Sequence, residues 1–350
     1  MRIFYLDEKY STTRLISKEL PMIEGNYGYK FEFALFLPLK SERKGEGGLR
    51  FNGYFKHSYR LENGNFDVVI KNGGKITIAS CFLNEGEFDG NILKSNNEET
   101  SSNIQIPLVT VITSVFNGIN YIEQTIQSVI NQSYPNVEYI IIDGGSTDGT
   151  LDIIRKYENY IDYWISEKDE GIYDAWNKGV IVSLGDWISF LGAGDIYIKD
   201  ALIDYCKVSI KSVNIDYISS KVELISGKKS IRIFGSVWRW NKLRRFMNIA
   251  HIGSFHSRKL FILNGLFNSK LKIAGDYEFF LRSGPNLNCG FLDNVTVKAE
   301  TNGISQRSLL VFFETARVKI KYSGRNRFFI YFETLNAIIK WYIKRLIWYR

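Results

Sequence analysis

Cysteine is nearly absent from this 350-residue chain. Cys81, Cys206 and Cys289 stand far apart, odd in number and outside any CxxC spacing, which excludes a disulfide framework and a cysteine zinc site and fits a reducing compartment. Proline is scarce, with five residues, and the chain is 45% hydrophobic against 23% charged, a balance that excludes extensive disorder. No apolar run reaches the roughly 20 residues that a membrane-spanning helix requires. Residues 1 to 13 carry Arg2, Asp7, Glu8 and Lys9 and no apolar segment, so no signal peptide is expected. What the chain has in excess is positive charge, formally +8. Such a balance draws anions, whether nucleic acid, an acidic membrane surface or phosphorylated ligands, and does not by itself choose among them.

The length predicts two domains, or one large domain with appendages. Residues 1 to 95 read as a small β-rich module, with Phe31, Phe33, Leu35 and Leu37 alternating, apolar runs at Phe66 to Ile70 and Ile76 to Phe82, and Asn-Gly turns at Asn63 and Asn72. The polar stretch within 96 to 106 reads as a linker. From Pro107 strands and helices alternate: strands at Leu108 to Val115, Glu138 to Ile142, Tyr163 to Ser166 and Asp186 to Leu191, with helices at Tyr121 to Ile130, Thr150 to Tyr157 and Tyr173 to Ser183. That alternation predicts right-handed βαβ crossovers and an α/β fold on a doubly wound, mainly parallel sheet over 107 to 305. Ligands of such sheets bind at the carboxyl ends of the strands, here the loops after Val115, Ile142 and Leu191.

From 306 to 350 the chain reads as a helical tail. Phe328, Phe332, Leu335, Ile339, Tyr342, Ile343 and Leu346 recur at three-to-four spacing, with Lys340 and Lys344 largely opposite. Trp341, Trp348 and the neighbouring basic residues suit the headgroup region of an anionic bilayer. A helix packed on the core is the ordinary alternative for such a face.

The loop Asp143-Gly-Gly-Ser-Thr-Asp-Gly149 follows an apolar strand and leads into a helix. A carboxylate at the strand end and close-approaching glycine backbone suit a nucleotide. A plain βα turn capped by Asp148 or Thr147 is the alternative. Glu167, Asp169, Tyr173, Asp174, Asn177 and Lys178 form a dense polar set at the next helix start, with Asp169 and Asn177 as donor-site candidates and Asp174 and Lys178 spaced as an i,i+4 ion pair. Asp195 follows an apolar strand, where a turn or N-cap role is also open.

Thr110-Val-Ile-Thr-Ser-Val-Phe-Asn-Gly118 followed by Ile140-Ile-Ile-Asp-Gly-Gly-Ser-Thr-Asp-Gly-Thr150 resembles the opening of the family 2 glycosyltransferases. Ser166-Glu-Lys-Asp-Glu-Gly-Ile-Tyr-Asp-Ala-Trp-Asn-Lys-Gly179 and Trp187-Ile-Ser-Phe-Leu-Gly-Ala-Gly-Asp195 resemble a subgroup that builds bacterial exopolysaccharide and O-antigen chains. The likeness covers roughly Pro107 to Asn302, and Gly48-Leu-Arg-Phe-Asn-Gly-Tyr-Phe-Lys56 is similar to a short lead-in ahead of that domain in some relatives. The resemblance implies a GT-A-like fold, a nucleotide-diphosphate sugar donor, an inverting mechanism and a divalent metal, Mn2+ or Mg2+. By position it implies that Thr113, Val115 and Asn117 line the nucleotide loop, that Asp143 meets base or ribose, and that Asp195 is the metal ligand. Ala193 and Gly194 stand where the family commonly has further acids, so a diphosphate and waters would have to complete the oxygen shell.

An inverting transfer needs one carboxylate to take the acceptor proton. The resemblance puts Asp276 of Lys272-Ile-Ala-Gly-Asp-Tyr-Glu-Phe-Phe-Leu-Arg282 in that role, against the alternative of a plain N-cap. Glu278 is the fallback, and on a helix it would point away from Asp276. His251 is favoured over His256 on the acceptor side, although a packed histidine is the commoner case. Arg232, Arg239, Arg244 and Arg245 suit an acceptor pyrophosphate or a solvated face. Tyr54, Phe55 and Tyr59 suit sugar binding or core packing.

The expectation is an enzyme that moves a hexose-type sugar to an oligosaccharide or polyprenyl-diphosphate-linked acceptor for a bacterial surface polysaccharide. It is expected to work in the cytoplasm, peripherally on the inner face of the cytoplasmic membrane, with no nucleic-acid partner. A non-catalytic carbohydrate-binding or assembly protein is the alternative, motivated by the thin Gly192-Ala-Gly-Asp195 motif. A nucleotidyltransferase would need a Gly-rich, Lys/Arg-bearing triphosphate loop near the first strand, which the sequence lacks.

Overall fold

The computed structural model describes residues 16–23, 30–61, 67–69, 75–77, 104–134, 136–211, 214–227, 229–301 and 308–348. A ten-stranded sheet carries the architecture. Its centre is four parallel strands in the spatial order β8 (Tyr163–Ser166), β7 (Val137–Asp143), β6 (Val109–Val115) and β9 (Trp187–Gly192). Every residue of β6 and β7 is buried, as strands covered on both faces must be.

Alternation divides the side chains between two cores. Val109, Val111, Tyr139 and Ile141 enter one, packed under α1 (Ile122–Ile130), α2 (Thr150–Lys156) and α4 (Ala201–Lys211). Ile112, Ile140 and Ile142 enter the other, under α3 (Ile172–Val182), α6 (Arg258–Asn264) and α7 (Gly275–Ser283). Gly179 lets α3 close onto the sheet, since a Cβ there would sit 2.5 Å from Ile112 Cγ2.

From β6 the chain runs outward through β7 and β8, then returns to place β9 on the other side. This reversal is the switch point where open α/β sheets bind ligands. Beyond β9 come β13 (Phe255–Ser257), β11 (Tyr217–Ser226), β14 (Cys289–Glu300) and β10 (Ile196–Tyr197), with β12 (Lys229–Phe234) paired to β11.

Part of the N-terminal stretch expected as a β-rich module joins the main sheet. β1 (Gly45–Gly47) pairs antiparallel with β8 as an edge of the main sheet. The alternating run 31–37 is no strand. It is an irregular segment, bent at 35 and 36, that bonds Ala34 N–H to the Ile181 carbonyl and sinks Phe33 and Leu37 into the α3 core. Short pairs join β2 (Tyr59–Leu61) to β5 (Ile104–Ile106) and β3 (Asp67–Val69) to β4 (Lys75–Thr77). The turns at Asn63 and Asn72 and the polar stretch 96–103 lie outside the described residues. Phe55 is buried and Tyr54 half-buried, which favours packing over sugar binding for both.

A buried ion pair bolts this segment to the sheet. Arg50, 2% exposed, reaches Glu138 Oε1 at 2.6 Å and the Leu35 and Val182 carbonyls at 2.6 and 2.7 Å. Glu138 also accepts from Thr110 Oγ1 and the Leu184 N–H. Removing one partner of such a pair leaves an uncompensated buried charge. Arg50→Met is therefore expected to lower stability by about 3–5 kcal/mol, read from the urea midpoint. An unchanged midpoint would show that 30–57 is not part of the cooperative unit.

The predicted C-terminal helix is two helices, α8 (Leu310–Tyr322) and α9 (Arg327–Trp348), broken at Gly324, whose φ of 64° is left-handed. Among the described residues no helix is long and apolar enough to cross a membrane.

Candidate active site

The loops after β6 and β7 are laced together. Asn117, held at φ 49°, receives the Thr147 N–H on its side-chain oxygen at 2.9 Å and donates its own N–H to Ser146 Oγ at 2.7 Å. Asp148 accepts from the Ile119 N–H and from Thr150 at the start of α2. The N-cap of α2 is Gly149 and no side chain caps it, so Asp148 ties the turn from one position earlier.

Asp143 is fully buried. Its carboxylate accepts from the Gly145 and Ser146 N–H groups, the Ser146 hydroxyl and the Ser166 hydroxyl. It shapes the loop from beneath rather than presenting an open face. Thr113 is likewise buried, with its hydroxyl 3.1 Å from Tyr139 Oη, and Val115 is 5% exposed at the strand end. What these loops offer a ligand is backbone, the exposed Phe116 and the half-buried Asp169.

Asp169 lies against Gly144, where a Cβ would meet Asp169 Oδ2 at 2.6 Å. Burial raises its carboxyl above the ordinary range, against the Gly171 N–H. Both residues line a cleft of about 420 Å3 with Phe116, Gly145 and Lys168, closed on one side by Glu42 and Lys44. Lys44 Nζ is 2.6 Å from the Gly145 carbonyl and 3.0 Å from that of Ser146. The sequence carried no signal for this wall, because it comes from a segment remote in the chain.

Asn177 is a correction. Its amide is spent in both directions on Phe267, donating to the carbonyl and accepting from the N–H at 2.9 Å each, so it clamps α3 to the chain before α7 instead of facing a donor. Lys178 pairs with Asp174 at 3.7 Å and more closely, at 2.9 Å, with the buried Glu167. Burial alone would raise Glu167, but bonds from Lys178, Lys40 and Arg43 hold it below the ordinary glutamate range.

A second cleft, also about 420 Å3, opens at the carboxyl end of β9. Tyr121, Tyr173, Trp176, Phe190, Lys272 and Glu300 line it around the Gly192–Asp195 turn. At its edge the loop after β6 packs closely on this turn, since a Cβ on Gly118 would meet Ala193 Cβ at 3.2 Å. Asp195 Oδ2 accepts the Gly192 N–H at 2.7 Å, and burial pushes the carboxyl up to about 7. Only the Gly192 N–H opposes that effect of burial. Among the described residues no group of three His, Cys, Asp or Glu could hold a metal. One hard oxygen ligand fits Mg2+ or Mn2+ when a diphosphate supplies the others.

Asp276 stands in the first turn of α7. Its Oδ1 accepts the Tyr277 N–H at 2.8 Å and lies 3.1 Å from the Tyr173 hydroxyl, which is also 2.6 Å from the Ile273 carbonyl. Burial raises the Asp276 carboxyl above its ordinary range, and both hydrogen bonds oppose the rise. Tyr173 fits here because Gly275 has no side chain, since a Cβ would fall 2.7 Å from the ring. Glu278 faces another way. It is buried, pairs with Arg282 at 3.1 Å and lines a separate cavity of about 210 Å3 with Lys270 and Arg317.

His251 is 5% exposed and stacks on Trp176 and Phe190 at 4.9 and 5.6 Å. Burial holds its pKa well below the ordinary value, and His256 beside it is pushed down to about 3. Both are neutral core rings behind the cleft wall, which corrects the expectation that His251 reaches an acceptor. Trp176, Lys272 and Glu300 were not anticipated as lining residues. The i,i+3 spacing of Tyr173 and Trp176 is the one signal that could have marked that face.

The family model for glycosyl transferase family 2 matches residues 110–207, which hold both clefts' strand ends. A PGL/p-HBAD biosynthesis glycosyltransferase of Mycobacterium tuberculosis is 29% identical over 184 residues, covering 51% of this chain and 71% of that protein. An uncharacterised glycosyltransferase of the same organism is 30% identical over 198 residues, covering 51% and 69%. Among solved structures, S. aureus TarS aligns with a TM-score of 0.50 at 20% identity over 65% of this chain and 43% of that one. TarS 1-349 in complex with UDP-GlcNAc also aligns at 0.50, with 18% identity over 64% and 69%. Identity this low shows the shared fold alone. With strand ends, loops and cleft in this arrangement, and a 30% identical relative covered over more than two thirds of its length, the chain belongs to glycosyl transferase family 2 and is a GT-A-like glycosyltransferase.

Proposed function

We propose that this enzyme moves a sugar from a nucleotide diphosphate to a lipid-linked oligosaccharide acceptor with inversion, using Asp276 as the base. The observation that carries this reading is that Asp195 and Tyr173, the hydroxyl partner of Asp276, line one cleft at the switch point of the sheet. The other cleft, at Gly144, Gly145 and Asp169, takes the nucleotide. That TarS was solved with UDP-GlcNAc supports a nucleotide-sugar donor of this class.

In the transfer, the acceptor oxygen attacks the anomeric carbon as the bond to the diphosphate oxygen breaks. The hydroxyl proton passes to Asp276, whose raised pKa suits it to receive that proton. A divalent ion held by Asp195 would supply stabilisation for the negative charge growing on the diphosphate. The non-catalytic alternative draws only on the shortage of acids near Asp195 and leaves the doubly held Asp276 without a purpose.

The acceptor class is inferred from the tail. Phe328, Phe332, Leu335, Ile339, Tyr342 and Ile343, the stripe picked out by spacing, are all exposed, while Ile330 on the other side is buried. Between 308 and 350 lie nine Lys and Arg against two acids, in a chain whose formal net charge is +8. Both acids are occupied internally, Glu333 by Arg325 at 2.6 Å and Glu314 by backbone N–H groups. An outward apolar row with flanking cations fits an anionic bilayer.

Thermal shift with nucleotide diphosphates and their sugars, with and without Mn2+, tests the donor and metal assignments. The matching nucleotide raises Tm, and Mn2+ enlarges the rise. Asp195→Ala is expected to remove the Mn2+ increment, with roughly tenfold or weaker donor binding, or about 1.4 kcal/mol. An undiminished increment would move the metal away from Asp195.

A further inference from the structure

The segment that carries the proposed base is gripped from the far end of the chain. Glu314, in α8, is 8% exposed and accepts three consecutive backbone N–H groups. Its Oε1 takes Lys272 N–H at 2.8 Å, and its Oε2 takes those of Ile273 and Ala274 at 2.9 Å each. Charge-assisted bonds of this kind are shorter and stronger than neutral ones. On the opposite side of the same peptide run, the Tyr173 hydroxyl meets the Ile273 carbonyl and Asp276 Oδ1. Lys272 Nζ, in turn, bonds the Glu170 carbonyl beside the start of α3. Residues 272 to 274 are thus held on their N–H side by α8 and on their carbonyl side by α3, two residues before Asp276.

We propose that Glu314 is a positioning residue for the transfer, setting where Asp276 stands relative to the cleft and so linking the tail helices to the acceptor half of the site. The inference rests on Asp276 being the base. Three aligned donors require an acceptor with two oxygens and a full negative charge. A neutral amide would turn an NH2 group toward at least one backbone N–H, and the run would have to shift to relieve it. The effect of such a shift falls on geometry at Asp276, while Glu314 makes no bond to Gly144, Asp169 or Lys44 of the nucleotide cleft. Because α8 packs on both α7 and α9, the position of the membrane-facing helix and that of the base are mechanically tied.

The test is Glu314→Gln in the full chain, assayed beside Asp276→Asn. The expected result is a fall in kcat of roughly 10- to 100-fold, the cost of a misplacement on the order of 1 Å. Nucleotide affinity by thermal shift is expected to stay within about twofold, and the acid limb of the kcat profile to move. Faster amide exchange at 272–274 should accompany these changes. Loss of stability with kcat and the acid limb unchanged would make Glu314 a structural clasp only and overturn the proposal. If Asp276→Asn keeps turnover, the base assignment itself fails, which is a different result. Should the Gln variant not fold, Glu314→Asp, which keeps the charge on a shorter arm, carries the same readouts, with intermediate loss expected and wild-type kcat overturning the inference.

Discussion

Asp276→Asn is expected to reduce transfer by roughly 10²- to 10⁴-fold, the contribution usual for a positioned general base, while donor binding is retained. Asn keeps an oxygen for the Tyr277 N–H and the Tyr173 hydroxyl, so the fold around α7 persists and the loss is chemical. The pH profile adds a sign. The base must be ionised to accept a proton, and burial raises its pKa above the usual value of about 3.9. Activity should therefore rise with pH through that raised value in the wild type, and the residual activity of the variant should lose that limb. Transfer at the wild-type rate, or an acid limb surviving in the variant, would assign the base elsewhere.

The second large effect concerns the tail. Replacing Phe328, Phe332, Leu335 and Ile339 together with Ser is expected to weaken sedimentation with anionic lipid vesicles by roughly 100-fold or more. Full burial of one such side chain is worth about 1.5–3 kcal/mol, so partial immersion of four suffices. All four are exposed in the folded protein, and surface substitutions of this kind leave stability nearly unchanged. Wild-type binding should also fall as salt shortens the Debye length from about 10 Å at 0.1 M. Transfer to a water-soluble acceptor should be preserved. Vesicle binding equal to wild type would mean that the row serves another partner.

The central sheet was legible because its signals are local. Val109–Val115 and Val137–Asp143 are continuous buried runs that only a covered parallel strand accommodates, and each ends in a loop of Gly, Ser, Asp or Asn. Helices α1 to α3 fall within a few residues of the positions that spacing predicts. Periodicity misled at 31–37, where Phe33 and Leu37 are buried and Phe31 and Leu35 half-buried without any strand pairing, because an irregular segment laid against the core can bury alternate apolar residues without a ladder.

Residue type marked which side chains were capable of chemistry, and partner geometry decided which were available for it. Asn177 and His251 have the right atoms, but Phe267 occupies one and Trp176 with Phe190 enclose the other. Asp195 and Asp276 border or back the cleft with partly unmet capacity, and burial raises both carboxyls. Contacts across long sequence distances left no local trace. Arg50 with Glu138, Lys44 with Gly145, and Glu314 with residues 272 to 274 each join segments whose separate compositions are unremarkable.

The amphipathic stripe of the tail, too, was plain in the sequence, but its direction was not. A three-to-four spacing defines a face without saying whether core or solvent lies beyond it. By itself the sequence determined the parallel α/β sheet, the loops at its carboxyl edge and the family, since burial, turn chemistry and motif spacing are written in neighbouring residues. Tertiary structure decided which carboxylates border the cleft, which segment bonds residues 272 to 274 and which way α9 turns, because those depend on what the fold brings near from elsewhere in the chain.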